Sequence, residues 1–477
     1  MRILMVASEA APFAKTGGLA DVVAALPRAL VRLGHSVDVV IPRYRGITIG
    51  QPIGEVAVPL GPRVTSTPVY AVTEAGVRTI FIDHPGYYDR DHLYGAVGHD
   101  YADNPERFAF LSRAALEWAS GATQPYDAVH AHDWQTGLVP IFLREFADTP
   151  ALRAASTMFT IHNLAYQGVF DAAWLPRLGL SGSLMHIDAL EHWSRISLLK
   201  GGVMFSRVLT TVSPRYAQEI QTRENGNGFD TILRSRSGDL VGIRNGIDYQ
   251  EWNPARDPHL PEPFDASCLE QKLASKEMVL DTFGLPVDDT TRTRPLVGLI
   301  SRLVDQKGFD LLAELVEELP RLEASFVLLG TGERRYEDLW LALAAKHLGR
   351  IGARIGFDET IAHRIEGGAD LFLMPSRFEP CGLNQMYSLR YGTIPVVHAT
   401  GGLYDTVRNY DPTTGSGTGF TFDEYSAQTL LSTLQRALDV YQDREAWRRM
   451  QLAGMREDFS WDASAREYVT MYERARS

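Results

Sequence analysis

The chain has 477 residues, 45% of them hydrophobic and 22% charged, and a formal net charge of −12. The length predicts two or three domains, and the composition excludes a disordered or fibrous chain. An acidic balance without a basic cluster argues against nucleic-acid or anionic-membrane partners, and two cysteines, Cys268 and Cys381, exclude a disulfide framework or a multi-cysteine zinc site.

The first apolar run, Ile3–Ala7, is too short for a signal peptide and predicts a buried strand. No stretch approaches the roughly 18 apolar residues of a bilayer span. The expectation is a cytoplasmic protein. After a loop carrying Lys15-Thr16-Gly17-Gly18, the residues Leu19, Val22, Val23, Leu26, Leu30 and Leu33 recur at helical spacing. Pro27 is predicted to kink that helix. Gly34 ends it, and Val37–Ile41 is the second strand. Further on, His132-Asp133-Trp134-Gln135 follows an apolar turn, Ala128–Ala131, and His162-Asn163 follows a strand, Met158–Ile161.

A polar stretch rich in Pro and Asp, about 253–265, precedes a helix over Cys268–Leu280, and the same grammar then restarts. Leu296–Ile300 reads as a strand and Ser301–Gly308 as a loop holding Arg302 and Lys307. Leu311 to Leu319 reads as a helix. Phe326–Leu329 is a strand ending in Gly330-Thr331-Gly332. Leu371–Met374 is a strand, followed by a loop with Glu379, a helix near Asn384–Tyr391 and a strand, Ile394–Val397. Alternating strands and helices predict an α/β fold with two doubly wound, Rossmann-like domains. The expected extents are 1–247 and 248–460, with 461–477 a helix crossing back onto the first domain.

In such sheets ligands bind beyond the carboxyl ends of the strands, so a cleft between the two domains is the natural meeting place. The loop at Lys15 offers glycines, free N–H groups and a cation to an anion, or is merely a tight turn. Arg302 and Lys307 suit a diphosphate, or are an exposed basic pair. Glu379 suits a sugar hydroxyl or the positive charge that develops at an anomeric carbon, or caps its own helix. His162 and Asp133 suit hydroxyl orientation or proton transfer; the alternatives are a core histidine and an N-cap aspartate. Cys381 is a packing group or a reactive thiol. Asp89 and Asp91 only superficially match a metal-binding pair. Tyr87, Tyr88, Tyr94, Tyr101 and Trp134 are candidates for stacking on sugar rings.

Six motifs together resemble the glycogen and starch synthase family: KTGGLADV at 15–22, HAHDWQ at 130–135, TIHNLAYQG at 160–168, RNGID at 244–248, SRL..QKG at 301–308 and SRFEPCGLNQ at 376–385. The resemblance implies the two-domain GT-B architecture. It implies transfer of glucose from ADP-glucose to the non-reducing end of an α-1,4-glucan, with retention and with neither metal nor cofactor. It implies that Lys15, Arg302 and Lys307 hold the diphosphate, that Glu379 supports the transition state, and that His162 binds glucose. Asp21, Asn163 and Asn245 are then expected to contact glucose or acceptor, and Tyr94 to contact sugar. Gly18, Asp133, Cys381, Gly382 and Leu383 join the substrate-binding set, and the segments at Gly330 and Phe357 are expected to line the base and ribose pocket. Many related transferases carry a second glutamate eight positions after the first; Tyr387 at that place resembles the glycogen and starch synthase branch. The competing readings are a UDP-glucose transferase or one with another acceptor, a phosphorylase, and a non-catalytic glucan-binding protein.

Overall fold

Two α/β units make up the chain: residues 1–246 with 461–477, and residues 247–460. The structure is a computed structural model and describes residues 1–96 and 99–477.

Unit 1 is built on a nine-stranded sheet. Its strands are β1 (Arg2–Val6), β2 (Ser36–Pro42), β3 (Gly54–Leu60), β4 (Arg63–Glu74), β5 (Val77–Ile82), β6 (Ala128–His132), β7 (Ser156–Ile161), β8 (Val208–Thr211) and β9 (Leu240–Gly242). They lie in the order β9-β8-β7-β6-β1-β2-β5-β4-β3. The pairing is parallel except where β4 runs against β3 and β5. Ile3 to Val6 are wholly buried because a parallel sheet is covered on both faces. The first helix, Gly18–Arg32, buries Leu19, Val22, Val23, Leu26 and Leu30, and it continues through Pro27. The segment 128–131 is no turn: it lies in β6, paired with β1 on one side and β7 on the other. The sequence Ala-Val-His-Ala-His hides a strand whose five residues are all buried.

The last helix, Trp461–Arg476, belongs to unit 1. Arg32 pairs with Asp462 at 2.6 Å, and Ser464 Oγ donates to the Arg244 carbonyl at 2.6 Å. Ala465, Tyr468 and Tyr472 are completely buried.

Unit 2 has six parallel strands, β10 (Leu296–Leu303), β11 (Ser325–Gly332), β12 (Ile351–Ile355), β13 (Leu371–Met374), β14 (Ile394–His398) and β15 (Phe420–Phe422). Their order is β12-β11-β10-β13-β14-β15. The order reverses between β10 and β13, the switch point where doubly wound sheets bind ligands. Arg302 is on a strand, not in a loop: β10 continues to Leu303, pairing Ser301 with Gly330, Arg302 with Thr331 and Leu303 with Gly332. The glycines that read as a strand end are what permit this. A Cβ on Gly330 would lie 2.0 Å from the Ser301 carbonyl oxygen. The helix expected from Cys268 begins at Lys272, after a short 3₁₀ turn at Leu269–Gln271. Among the described residues no helix is long and apolar enough to cross a membrane.

Candidate active site

In unit 2 the loops that follow β10 and β13 are fastened to each other. The Arg377 N–H donates to the Gln306 carbonyl at 2.9 Å. Gly308 takes a left-handed φ of 83°, and a Cβ there would sit 2.1 Å from the Pro375 carbonyl oxygen. This close approach brings Lys307 to Glu379: Nζ and Oε2 are 2.6 Å apart. Ser376 Oγ donates to the same oxygen at 3.0 Å. Glu379 is 6% exposed, so a nearly desolvated carboxylate is held by one cation and one hydroxyl. It does not serve as a helix-start acid. Its backbone is also pinned, since the Gly402 N–H donates to the Glu379 carbonyl at 3.1 Å.

Around this pair, Arg302 is exposed and reaches Gln306 Oε1 at 3.3 Å. Cys381 is buried, and Gly382 turns the chain at φ 72°. Leu383 caps the helix Asn384–Arg390. Asn384 Nδ2 donates to the Ile300 carbonyl at 3.0 Å, linking that helix back to β10. Phe357 is 81% exposed. Gly330 belongs to the β10–β11 ladder, and the Gly356 N–H donates to its carbonyl at 2.9 Å.

In unit 1 the ends of β6 and β7 bring Asp133 to His162. The His162 N–H donates to Asp133 Oδ1 at 2.7 Å. Asp133 stands at the N-cap position of the 3₁₀ turn Trp134–Thr136, but its side chain makes no cap bond; the carboxylate reaches to the end of the next strand instead. Burial pushes its pKa up to about 7, against the lowering effect of the His162 and Asn163 N–H groups. His132 Nδ1 lies 3.0 Å from His162 Nε2. Behind them, His130 bridges Tyr472 Oη at 2.8 Å and Thr160 Oγ1 at 2.6 Å. Burial holds all three imidazoles neutral, with His130 and His162 near 3. Asn163 Oδ1 accepts from the Ala165 N–H at 3.0 Å. Asn245 is buried, and its Oδ1 has no partner among the described residues.

The loop after β1 adds a second feature. Lys15 pairs with Asp21 at 2.6 Å, both partly exposed. Glu9 accepts from Thr16 and from Tyr94 Oη, and Tyr94 also bonds Ser8. Lys15, Thr16 and residues 91–95 line a cavity of about 400 Å³. A Cβ on Gly17 or Gly18 would meet nothing within 4 Å, so the start of the first helix is open to a ligand.

Other sequence candidates serve structure. Tyr88 is fully buried, and Trp134 packs edge-on against Phe108 at 5.1 Å, so neither offers a face to a sugar. Asp89 and Asp91 both bind Arg45, which accounts for that acid pair. Metal-type ligand atoms gather within 4.8 Å at Asp257, His259 and His363. There Asp257 Oδ2 already accepts from His363 at 2.7 Å and Tyr391 at 2.6 Å.

The chain is similar to known proteins over its whole length. The starch synthase catalytic domain family matches residues 2–235, and the glycosyl transferases group 1 family matches residues 288–451. Glycogen synthase of Koribacter versatilis is 46% identical, with 100% of this chain and 98% of that protein covered. The glycogen synthase of Anaeromyxobacter dehalogenans strain 2CP-C is 50% identical, covering 99% of each. The chain belongs to the glycogen and starch synthase family. A solved structure of the catalytic domain of starch synthase IV from Arabidopsis thaliana, bound to ADP and acarbose, superposes with a TM-score of 0.91 at 36% identity, with 99% of each chain covered.

The chain has the GT-B architecture and is a retaining glycosyltransferase. Tyr387, eight positions after Glu379, stacks on Trp252 at 3.7 Å, and His363 stacks on the same indole at 3.8 Å. That position is part of a ring stack. Sequence reading gave no role of their own to Glu9, Ser376, His132 and Tyr472. Glu9 sits three positions beyond β1, Ser376 two beyond β13, and His132 is the last residue of β6, a signal that was available. Tyr472 lies in the last helix, and nothing near it in sequence marks its contact with His130.

Proposed function

We propose that this chain elongates an α-1,4-glucan with glucose from ADP-glucose, retaining the anomeric configuration, as a glycogen synthase. The observation that carries the reading is the buried Glu379 carboxylate gripped by Lys307 and Ser376 at the switch point of unit 2. Cleavage of the glucose–phosphate bond leaves negative charge on the diphosphate and positive charge on the sugar ring. Lys307 and Arg302 stabilise the first, and Glu379 opposes the second. The Lys307 ammonium has three donors, so it can hold Glu379 and a phosphate oxygen together.

Unit 1 supplies the remaining groups. Lys15 and the open helix start at Gly18 favour the diphosphate, with Asp21 and Tyr94 beside them. His162, positioned by Asp133, and Asn163 contact glucose, and Asn245 offers an unpartnered acceptor to a hydroxyl. Phe357, Cys381, Gly382 and Leu383 complete the donor pocket in this reading. Unit 2 is thus the nucleotide-sugar side and unit 1 the glucan side. A cytoplasmic setting belongs to the same proposal and is supported by a chain with two cysteines.

The test is glucose incorporation into glycogen from ADP-glucose and from UDP-glucose, each with EDTA. Incorporation from ADP-glucose despite the chelator supports the proposal. Preference for UDP-glucose overturns the donor assignment, and no transfer from either overturns the reaction.

A further inference from the structure

Residues 191–197 form a hairpin whose two strands, Glu191–His192 and Arg195–Ser197, are joined by two residues, Trp193 and Ser194. Both joining residues are left-handed, with φ of 56° and 62°. A two-residue turn of this type strongly favours Asn-Gly, and a tryptophan there is strained. Little packing offsets the strain: Trp193 is 79% exposed and meets the ring of His192 edge-on, with centroids 6.1 Å apart. Strain maintained at an exposed aromatic points to a use for that side chain.

The base of the hairpin is firmly held. Glu191 Oε1 accepts from the Ser194 N–H at 2.8 Å, Arg195 donates to the Val169 carbonyl at 3.1 Å, and the ring of His192 packs on Phe229 with centroids 4.7 Å apart. The indole is therefore presented on a rigid mount. Beside it lies Gly228, where a Cβ would be 3.6 Å from Trp193 Nε1. Its neighbour Asn227 accepts from Gln167 Nε2 at 2.8 Å. Gln167 follows Tyr166, which is 54% exposed and stands in the loop that begins at His162 and Asn163. Two exposed rings, Tyr166 and Trp193, are thus connected through the Gln167 side chain and the Asn227 carbonyl, in the segment that begins at His162. An apolar face with a hydrogen-bonding rim matches a pyranose ring, which has an apolar face and a belt of hydroxyls.

We infer that Trp193 is a stacking platform for the glucan chain, a binding site outside the groups that perform the transfer. The inference rests on the glucan-acceptor reading above. The platform holds the polymer near unit 1 while its end is extended.

Electrophoresis through gels containing glycogen, without ADP-glucose, measures this binding apart from catalysis. Trp193→Ala and Trp193→Asn are expected to weaken glycogen affinity about three- to tenfold, and Trp193→Tyr to retain it. The KM for ADP-glucose stays unchanged in all three. Trp193→Asn also raises Tm, since asparagine tolerates the left-handed conformation. Retardation of Trp193→Ala equal to that of the wild type overturns the inference, as does a wild type that glycogen does not retard. A wild type that is retarded yet transfers no glucose overturns the proposed reaction and leaves the platform standing.

Discussion

Lys307 Nζ stands 2.6 Å from Glu379 Oε2, and the two residues come from loops on adjacent strands of one sheet. In the proposed reaction the pair couples the leaving-group side to the sugar side. Glu379→Gln keeps the shape and removes the charge, so turnover is expected to fall about 10²–10³-fold with little change in Tm. Lys307→Ala leaves a buried carboxylate without its cation and costs about 1–3 kcal/mol of stability as well as turnover. In the double variant Lys307→Met/Glu379→Gln the stability returns, because no unpaired charge remains. Steady-state kinetics and thermal melts of the three variants check this. Near-wild-type turnover in Glu379→Gln would remove that carboxylate from the mechanism.

Gly308 offers a test that adds no charge. Its left-handed φ of 83° costs any other residue about 1–2 kcal/mol. Its missing Cβ also keeps the Pro375 carbonyl out of collision, at an implied 2.1 Å. Gly308→Ala is expected to cost about 2–4 kcal/mol in denaturant melts. Whatever folded protein remains should show reduced turnover, because Lys307 adjoins the displaced turn. An alanine variant of normal stability and activity would mean that the two loops are free to move apart.

The βαβ grammar made both sheets legible, since continuous apolar runs such as Ile3–Val6 and Leu296–Ile300 occur where strands are covered on both faces. The charged candidates beyond those strands were legible for the same reason. What escaped was set by tertiary contact. Arg302 read as a loop residue because glycine normally weakens a strand, whereas Gly330 and Gly332 let β10 and β11 approach closely. Segment 128–131 read as a turn because alanine and histidine carry little β propensity, and two flanking strands override that. Asp133 read either as a group that orients hydroxyls or as an N-cap; with φ of 56° at the start of its 3₁₀ turn it makes no cap bond, and its carboxylate accepts from the His162 N–H instead.

The buried histidines give unit 1 an acid-sensitive stability. Burial depresses the folded pKa of His130 and His162 to about 3, and His132 is also well below its ordinary value of 6.5. Each contribution is therefore complete above pH 6.5 and is lost progressively as pH falls toward 3, when the unfolded chain takes up protons that the native one refuses. Asp133 acts in the opposite sense: its folded pKa is raised to about 7, so its ionisation weakens the fold as pH rises from about 4 to 7. Because the histidines outnumber it, Tm is expected to drop as pH goes from 6.5 to 4.5. His130→Asn should flatten that slope. A slope unchanged by the substitution would mean that His130 is protonated in the folded protein.

The contact between His132 and His162 predicts which nitrogen carries the proton. His132 Nε2 is buried without a partner, and a buried N–H left unpaired costs more than an unpaired acceptor. His132 therefore holds its proton on Nδ1 and donates it across 3.0 Å to His162 Nε2. That bond fixes the proton of His162 on Nδ1, which in the proposed reaction is the donor toward glucose. Nitrogen-15 spectra of histidine-labelled protein should show His162 protonated at Nδ1. His132→Leu should mix the tautomers and lower kcat about tenfold, while the KM for glycogen changes little. His132→Asn places an amide donor near the lost Nδ1 and should recover both signals. A His162 protonated at Nε2 in the wild type would reverse the assignment and make that residue an acceptor toward the sugar.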